Sequence, residues 1–111
     1  MAYTAPVRDF TFILNEVLEI ERHANQPGFE DVSADLVGQI LEEGAKFAEE
    51  VIAPINRIGD QEGCKLSDGG VVTGPTGWKE AYQQMVEAGW PALSAHTEFG
   101  GQGMPAVIGM A

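Results

Sequence analysis

Apolar residues in this chain recur mostly at helical spacing. Between residues 8 and 23, Phe10, Ile13, Leu14, Val17 and Leu18 fall at i, i+3, i+4, i+7 and i+8, which lays one apolar stripe along a helix. Asp9 stands at its start, where the helix dipole favours an anion, and Arg22 near its end, where it favours a cation. Pro6 keeps Ala5 extended before the helix, and Pro27-Gly28 marks the loop after it. A stronger pattern begins at Ser33, a natural N-cap, with Asp35 in the first turn. Leu36, Val37, Ile40, Leu41, Phe47, Ala48, Val51, Ile52 and Ile55 share one face of this second helix. Glu42, Glu43, Lys46, Glu49 and Glu50 share the other, with Glu42 and Lys46 in the favourable i,i+4 order for an ion pair. Pro54 lacks a backbone donor and crowds the carbonyl of Glu50, so a kink or break is expected there. A shorter helical stretch should then reach Arg57 or Ile58.

From residue 63 to 76, "GCKLSDGGVVTGPT", small and polar residues dominate. Lys65-Leu66 and Val71-Val72 flank Ser67-Asp68-Gly69-Gly70, the pattern of a small hairpin. Strands this short are unstable alone, so the hairpin is expected to lean on the helices. A third helix is expected over residues 77 to 88, capped by Thr76 and ended by Gly89, with Trp78, Tyr82, Met85 and Val86 as its apolar stripe. The segment from Trp90 to Ser94 reads as extended.

Near the end, Gly101-Gln102-Gly103-Met104-Pro105-Ala106 fits the pattern G-x-G-x-x-A. A dinucleotide loop needs a buried strand before the glycines, a helix after them and an acidic residue about 20 positions on. Here "LSAHTEF" precedes, a poor buried strand, and no acidic residue follows. The pattern reads instead as a turn. Gly100, Gly101 and Gly103 supply positive φ or close backbone approach, and Pro105 suits the first position of a helix. Val107, Ile108 and Met110 then begin a strongly apolar helix that stops after about two turns, so their side chains are expected to lack packing partners and the chain reads as cut off in mid-element.

The formal net charge is −11, with 13 acidic and 4 basic residues up to Glu62 and 4 and 2 after it. Phosphate binding needs clustered Lys or Arg, which excludes nucleic acid and anionic membranes as partners. The acids alternate with apolar positions at helical spacing and read as solvated faces. One cysteine, Cys64, permits no internal disulfide. The N-terminal residues lack a secretory pattern and no apolar run approaches a membrane span, so a cytoplasmic protein is expected. His23 and His96 stand apart from any metal-ligating cluster and read as surface or capping residues. Glu42-Glu43 and Glu49-Glu50 lack a pocket to shift their pKa values, and Trp78 and Trp90 read as packing anchors. No residue is assigned a catalytic, cofactor-binding or metal-binding role. The fold class is all-α with a small hairpin near 64–73.

Three segments in order carry a family resemblance: "FAEEVIAPINRIGDQEGCKL" at 47–66, "GPTGWKEAYQQMVEAGWPAL" at 74–93 and "EFGGQGMP" at 98–105. Together they resemble the N-terminal helical domain of acyl-CoA dehydrogenases. The opening "YTAPVRDFTFILNEVL" is similar to the extension of the branch around methylthiopropanoyl-CoA dehydrogenase. The resemblance implies residues 1–32 as an extension helix and linker, and residues 33–111 as a partial N-terminal helical domain. It implies a parent enzyme with FAD, an acyl-CoA substrate, electron-transfer flavoprotein as electron acceptor and a homo-oligomeric state. The implied reaction gives a trans-2-enoyl-CoA by removal of the α proton and transfer of the β hydrogen to flavin as hydride. The family's flavin site and catalytic glutamate belong to its later domains, and only a structural role carries over to Gly100, Gly101 and Gly103. An acyl-CoA oxidase shares the fold and flavin but passes electrons to oxygen. The alternative from another class is a small acidic helical interaction module without catalytic activity.

Overall fold

The computed structural model describes residues 2 to 111. As expected, helices dominate, with one small antiparallel hairpin. The α-helices are α1 (Val7–Phe12), α2 (Ala34–Phe47), α3 (Ala53–Glu62), α4 (Trp78–Glu87) and α5 (Ala106–Gly109). The strands are β1 (Lys65–Leu66) and β2 (Val72–Thr73).

The expected single helix over residues 8 to 23 does not form. α1 runs into a wide π-helical turn, Ile13–Val17, and Glu19 then takes a left-handed conformation with φ 44°. A short 3₁₀ turn, Ile20–His23, follows. In a straight helix Ile20 would lie about 120° around the axis from Leu14. The break lets both point inward, each only 2% exposed. Val17 and Leu18, expected on the buried stripe, stay largely exposed instead.

Ser33 caps α2 as expected, its hydroxyl accepting the Leu36 N–H at 3.2 Å. Of the kink or break expected at Pro54, the structure shows an interruption of the α-helical hydrogen bonding just before the proline and not an end to the helical run. A second π-helical turn, Ala48–Ile52, joins α2 to α3, and helical backbone continues to Glu62, past the expected end near Ile58. The extra residue in that turn is taken up just before the proline. Pro54 then enters in the first positions of α3, where a missing donor is tolerated.

The hairpin pairs Lys65 with Thr73 and Leu66 with Val72, one residue along from the expected partner strand. It does not lean on the helices, for all four strand residues are exposed. Its base is tied instead by the Glu62 carboxylate, which accepts the Thr76 N–H at 2.8 Å. Thr76 is therefore not the cap of α4. That place is taken by Gly77 at φ 83°. Gly89, at φ 80°, ends α4 as expected. The next segment is a 3₁₀ turn, Trp90–Ala92, and not an extended strand, because Ala92 N–H closes back on the Gly89 carbonyl at 3.0 Å.

The main core gathers Leu14, Ile20, Val32, Val37, Leu41, Leu93 and Ile108. Ile108 is 3% exposed, which corrects the expectation that the last turn lacks packing partners. Met110 alone of that group is open to solvent, at 85%.

Candidate functional site

The glycine turn at 100–103 is built from the segment before it. Gly100 and Gly103 take φ of 82° and 67°. A methyl group on Gly101 would come within 2.0 Å of the Ala95 carbonyl oxygen, so only glycine fits that approach. The turn consumes its own donors. Gly101 N–H donates to the His96 carbonyl (3.1 Å), Gln102 N–H to Ala92 (3.0 Å), Gly103 N–H to Ala95 (2.9 Å) and Met104 N–H to Leu93 (3.0 Å). A phosphate cradle needs such N–H groups free and aimed at the ligand. These residues therefore do not fit the pyrophosphate of FAD, and they act as a clasp between the 3₁₀ turn at Trp90 and α5.

His96 is a capping histidine as expected, its Nδ1 accepting the Glu98 N–H at 3.2 Å. His23 is exposed beside Phe29, with ring centroids 6.1 Å apart. Among the described residues no group of three or more His, Cys, Asp or Glu could hold a metal ion. Among the described residues no helix is long and apolar enough to cross a membrane.

Two carboxylate readings change. Lys46 pairs with Glu43 at 2.6 Å, one turn position nearer than the expected Glu42. Glu49, expected on a solvated face, is half-buried. Its carboxylate accepts the Ala5 N–H at 2.7 Å and holds the N-terminal segment against α2. Glu62 has its carboxyl held below the usual carboxylate range, first by the Thr76 backbone N–H, then by the Thr76 side chain and by nearby Lys65.

Both tryptophans are packing anchors, and each lies against a helical glycine that the apolar pattern does not single out. Trp90 sits on Gly44 and meets the Phe47 ring at 6.3 Å. Trp78 covers Gly59, where a methyl group would fall 2.6 Å from the indole, and its Nε1–H donates to the Ile55 carbonyl at 3.4 Å. Two apolar hollows result. One, about 240 Å³, lies between the N-terminal segment, α2, Trp90 and α5. The other, about 230 Å³, lies between Ile52, Ile55 and Asn56 on one side and Trp78, Ala81, Tyr82 and Met85 on the other.

The chain is 40% identical, over all 111 of its residues, to 3-methylmercaptopropionyl-CoA dehydrogenase of Ruegeria pomeroyi. Over 96% of its length it is 30% identical to a broad-specificity linear acyl-CoA dehydrogenase of Mycobacterium tuberculosis. Along nearly its whole length the chain is thus similar to part of two acyl-CoA dehydrogenases. It spans 19% and 18% of the lengths of these two relatives. No family model matches it. The segments that carried the family resemblance are structural corners in the fold: the passage from α2 through α3, the Trp78–Gly59 contact leading into α4, and the glycine clasp before α5.

Proposed function

We propose that this chain is the N-terminal helical region of an FAD-dependent acyl-CoA dehydrogenase. In this reading residues 1–32 are an extension helix with its linker, and residues 33–111 are part of the N-terminal helical domain. The observation that carries it is the 40% identity, along the entire chain, to a dehydrogenase of a CoA thioester. The parent enzyme would be cytoplasmic and homo-oligomeric. It would oxidise an acyl-CoA to the trans-2-enoyl-CoA and pass the electrons to electron-transfer flavoprotein. FAD would supply the hydride acceptor, from a site outside these residues. The role of residues 1–111 is architectural, and no side chain here is assigned to the chemistry. The glycine clasp supports that reading, because its amides are spent inside the chain.

The test has two arms. A polypeptide of the relatives' length that contains this region should purify yellow, and an acyl-CoA should bleach its flavin under anaerobic conditions. Residues 1–111 alone should stay colourless after incubation with FAD and dialysis. A colourless long protein, or one whose flavin ignores every acyl-CoA, would overturn the enzyme reading. Stoichiometric flavin on the short chain would overturn the architectural one.

A further inference from the structure

The chain has five aspartates, and the backbone amide after each one decides what its carboxyl can do. A backbone nitrogen attacks the side-chain carboxyl of the preceding aspartate only when its N–H is free of a hydrogen bond and the chain can swing toward that carboxyl. Four of the five following amides are already spent. Phe10 N–H donates to the Pro6 carbonyl at 3.2 Å, and Val32 N–H to that of Phe29 at 3.1 Å. Leu36 N–H donates to the Ser33 hydroxyl at 3.2 Å. Gln61 lies inside α3, where amides are held by the helix. Gly69, after Asp68, is the exception. Among the described residues its N–H has no hydrogen-bond partner. Asp68 is exposed and joins no ion pair there. The two residues form the centre of the hairpin turn, which Gly70 N–H closes on the Ser67 carbonyl at 2.9 Å. Gly70 takes φ of 78° and needs to be glycine. Gly69 does not. Its φ lies outside the left-handed region, and an added methyl group would meet only the Ser67 hydroxyl, at 3.9 Å. Glycine at 69 therefore answers no packing need, but it leaves no β-carbon beside the point of attack. The strands that hold the turn are two residues each and exposed, so local opening of this corner costs little.

We propose that Asp68–Gly69 is a self-modification site that converts to isoaspartate. The Gly69 nitrogen bonds to the side-chain carboxyl carbon of Asp68. One water leaves, made of the hydroxyl of the protonated carboxyl and the amide hydrogen. The cyclic imide then takes up one water. Opening at one carbonyl restores aspartate. Opening at the other leaves the main chain running through the Asp68 side chain, one methylene longer, with the α-carboxylate free. Composition and charge are unchanged, and no oxidant or reductant is needed. The longer turn no longer fits the register of Leu66 opposite Val72. The free α-carboxylate accepts a methyl group from a sulfonium donor, which is the chemistry of isoaspartate repair enzymes, so the implied partner is an enzyme of that class. This inference is independent of the enzyme reading.

The test is prolonged incubation near neutral pH at physiological temperature, of residues 1–111 and of the long polypeptide that contains them. Isoaspartate is then mapped by peptide digestion, by electron-transfer fragmentation and by enzymatic methyl transfer to the α-carboxylate. In both proteins it should accumulate at Asp68 and stay absent from Asp9, Asp31, Asp35 and Asp60. Gly69→Val should lose most of the signal, because a β-branched residue obstructs the attack. Asp68→Glu should lose all of it, since the larger ring closes far more slowly. Gln61→Gly separates this turn from any aspartate followed by glycine. It places glycine after Asp60 but inside α3, where the amide is held, so Asp60 should stay intact in the folded protein and react once urea unfolds it. Far-UV circular dichroism checks that each variant keeps its helices. Four results would overturn the proposal: no isoaspartate at Asp68 in either protein or in the long one alone, equal amounts at the other aspartates, an undiminished signal in Gly69→Val, or folded Gln61→Gly reacting at Asp60 as fast as at Asp68.

Discussion

Glycines at three positions differ in what a methyl group would meet there, and this separates their roles. Gly38 lies inside α2 with nothing within 4 Å. Gly38→Ala should stabilise the chain by up to about 1 kcal/mol, the ordinary helix-propensity gain. Gly59→Ala carries the same gain but drives a methyl group to 2.6 Å from the Trp78 indole. The ring must move, and overpacking costs roughly 1–3 kcal/mol, so this variant should be destabilised. Gly101→Ala meets backbone that has no room to yield, at 2.0 Å from Ala95 oxygen, and should lie at the upper end of that range or beyond it. Thermal melts of the three variants rank them, and the idea fails if Gly59→Ala melts above the parent chain. Glu62 offers a pH test at the same scale. Its carboxyl is held low by Thr76, so the link is present above the usual carboxylate range and is lost as pH falls through the lowered value. The Thr76 amide resonance should therefore titrate with a midpoint below that of a free glutamate. A midpoint at or above the free value would remove the link between Glu62 and the hairpin base.

Elements with a local cause were legible in the sequence. The Ser33 cap, the left-handed Gly89 and the glycine turn each follow from side chains within a few residues. Breaks with a distant cause were not. The left-handed turn at Glu19 is unfavourable locally and is repaid by burial of Ile20 in a core that includes Val37 and Leu93. The hydrophobic pattern from Phe10 to Leu18 carries no trace of that competition. Glu19→Gly tests the account through its sign. Removing the left-handed penalty, about 1–2 kcal/mol, outweighs the added unfolded-state entropy, about 0.4–1 kcal/mol. A gain of roughly 0.5 kcal/mol follows. The exposed pair between Glu19 and Arg22 subtracts little. Were residue 19 part of a continuous helix, the same change would instead cost about 1 kcal/mol, so a clear loss in chemical denaturation would refute the break. The π-turn before Pro54 follows the same logic: the proline is visible in sequence, but the packing on both sides that keeps α2 and α3 one helical run is not. The candidate site was legible to a similar degree. The turn-forming role of Gly100, Gly101 and Gly103 could be read directly, whereas Gly44 and Gly59 are set by tryptophans 46 and 19 residues away.

At the scale of the molecule, the buried residues divide unevenly. Seven of them form one cluster that joins α2 to the segments on either side of it. The α3–α4 corner contributes Ala81 as its buried residue within α4, and rests on Trp78 lying over Gly59 and on the Glu62–Thr76 link. Local stability follows buried apolar contact, so the chain should not open as one unit. In native-state hydrogen exchange, amides around Val37 and Leu41 should exchange through the slowest opening. Amides around Ala81 and Tyr82 should exchange at least about tenfold faster, which is a gap of about 1.4 kcal/mol. Equal protection of α2 and α4 would mean that the corner is as firmly held as the core. In that case the exposed α4 stripe would no longer mark the least stable part of the chain.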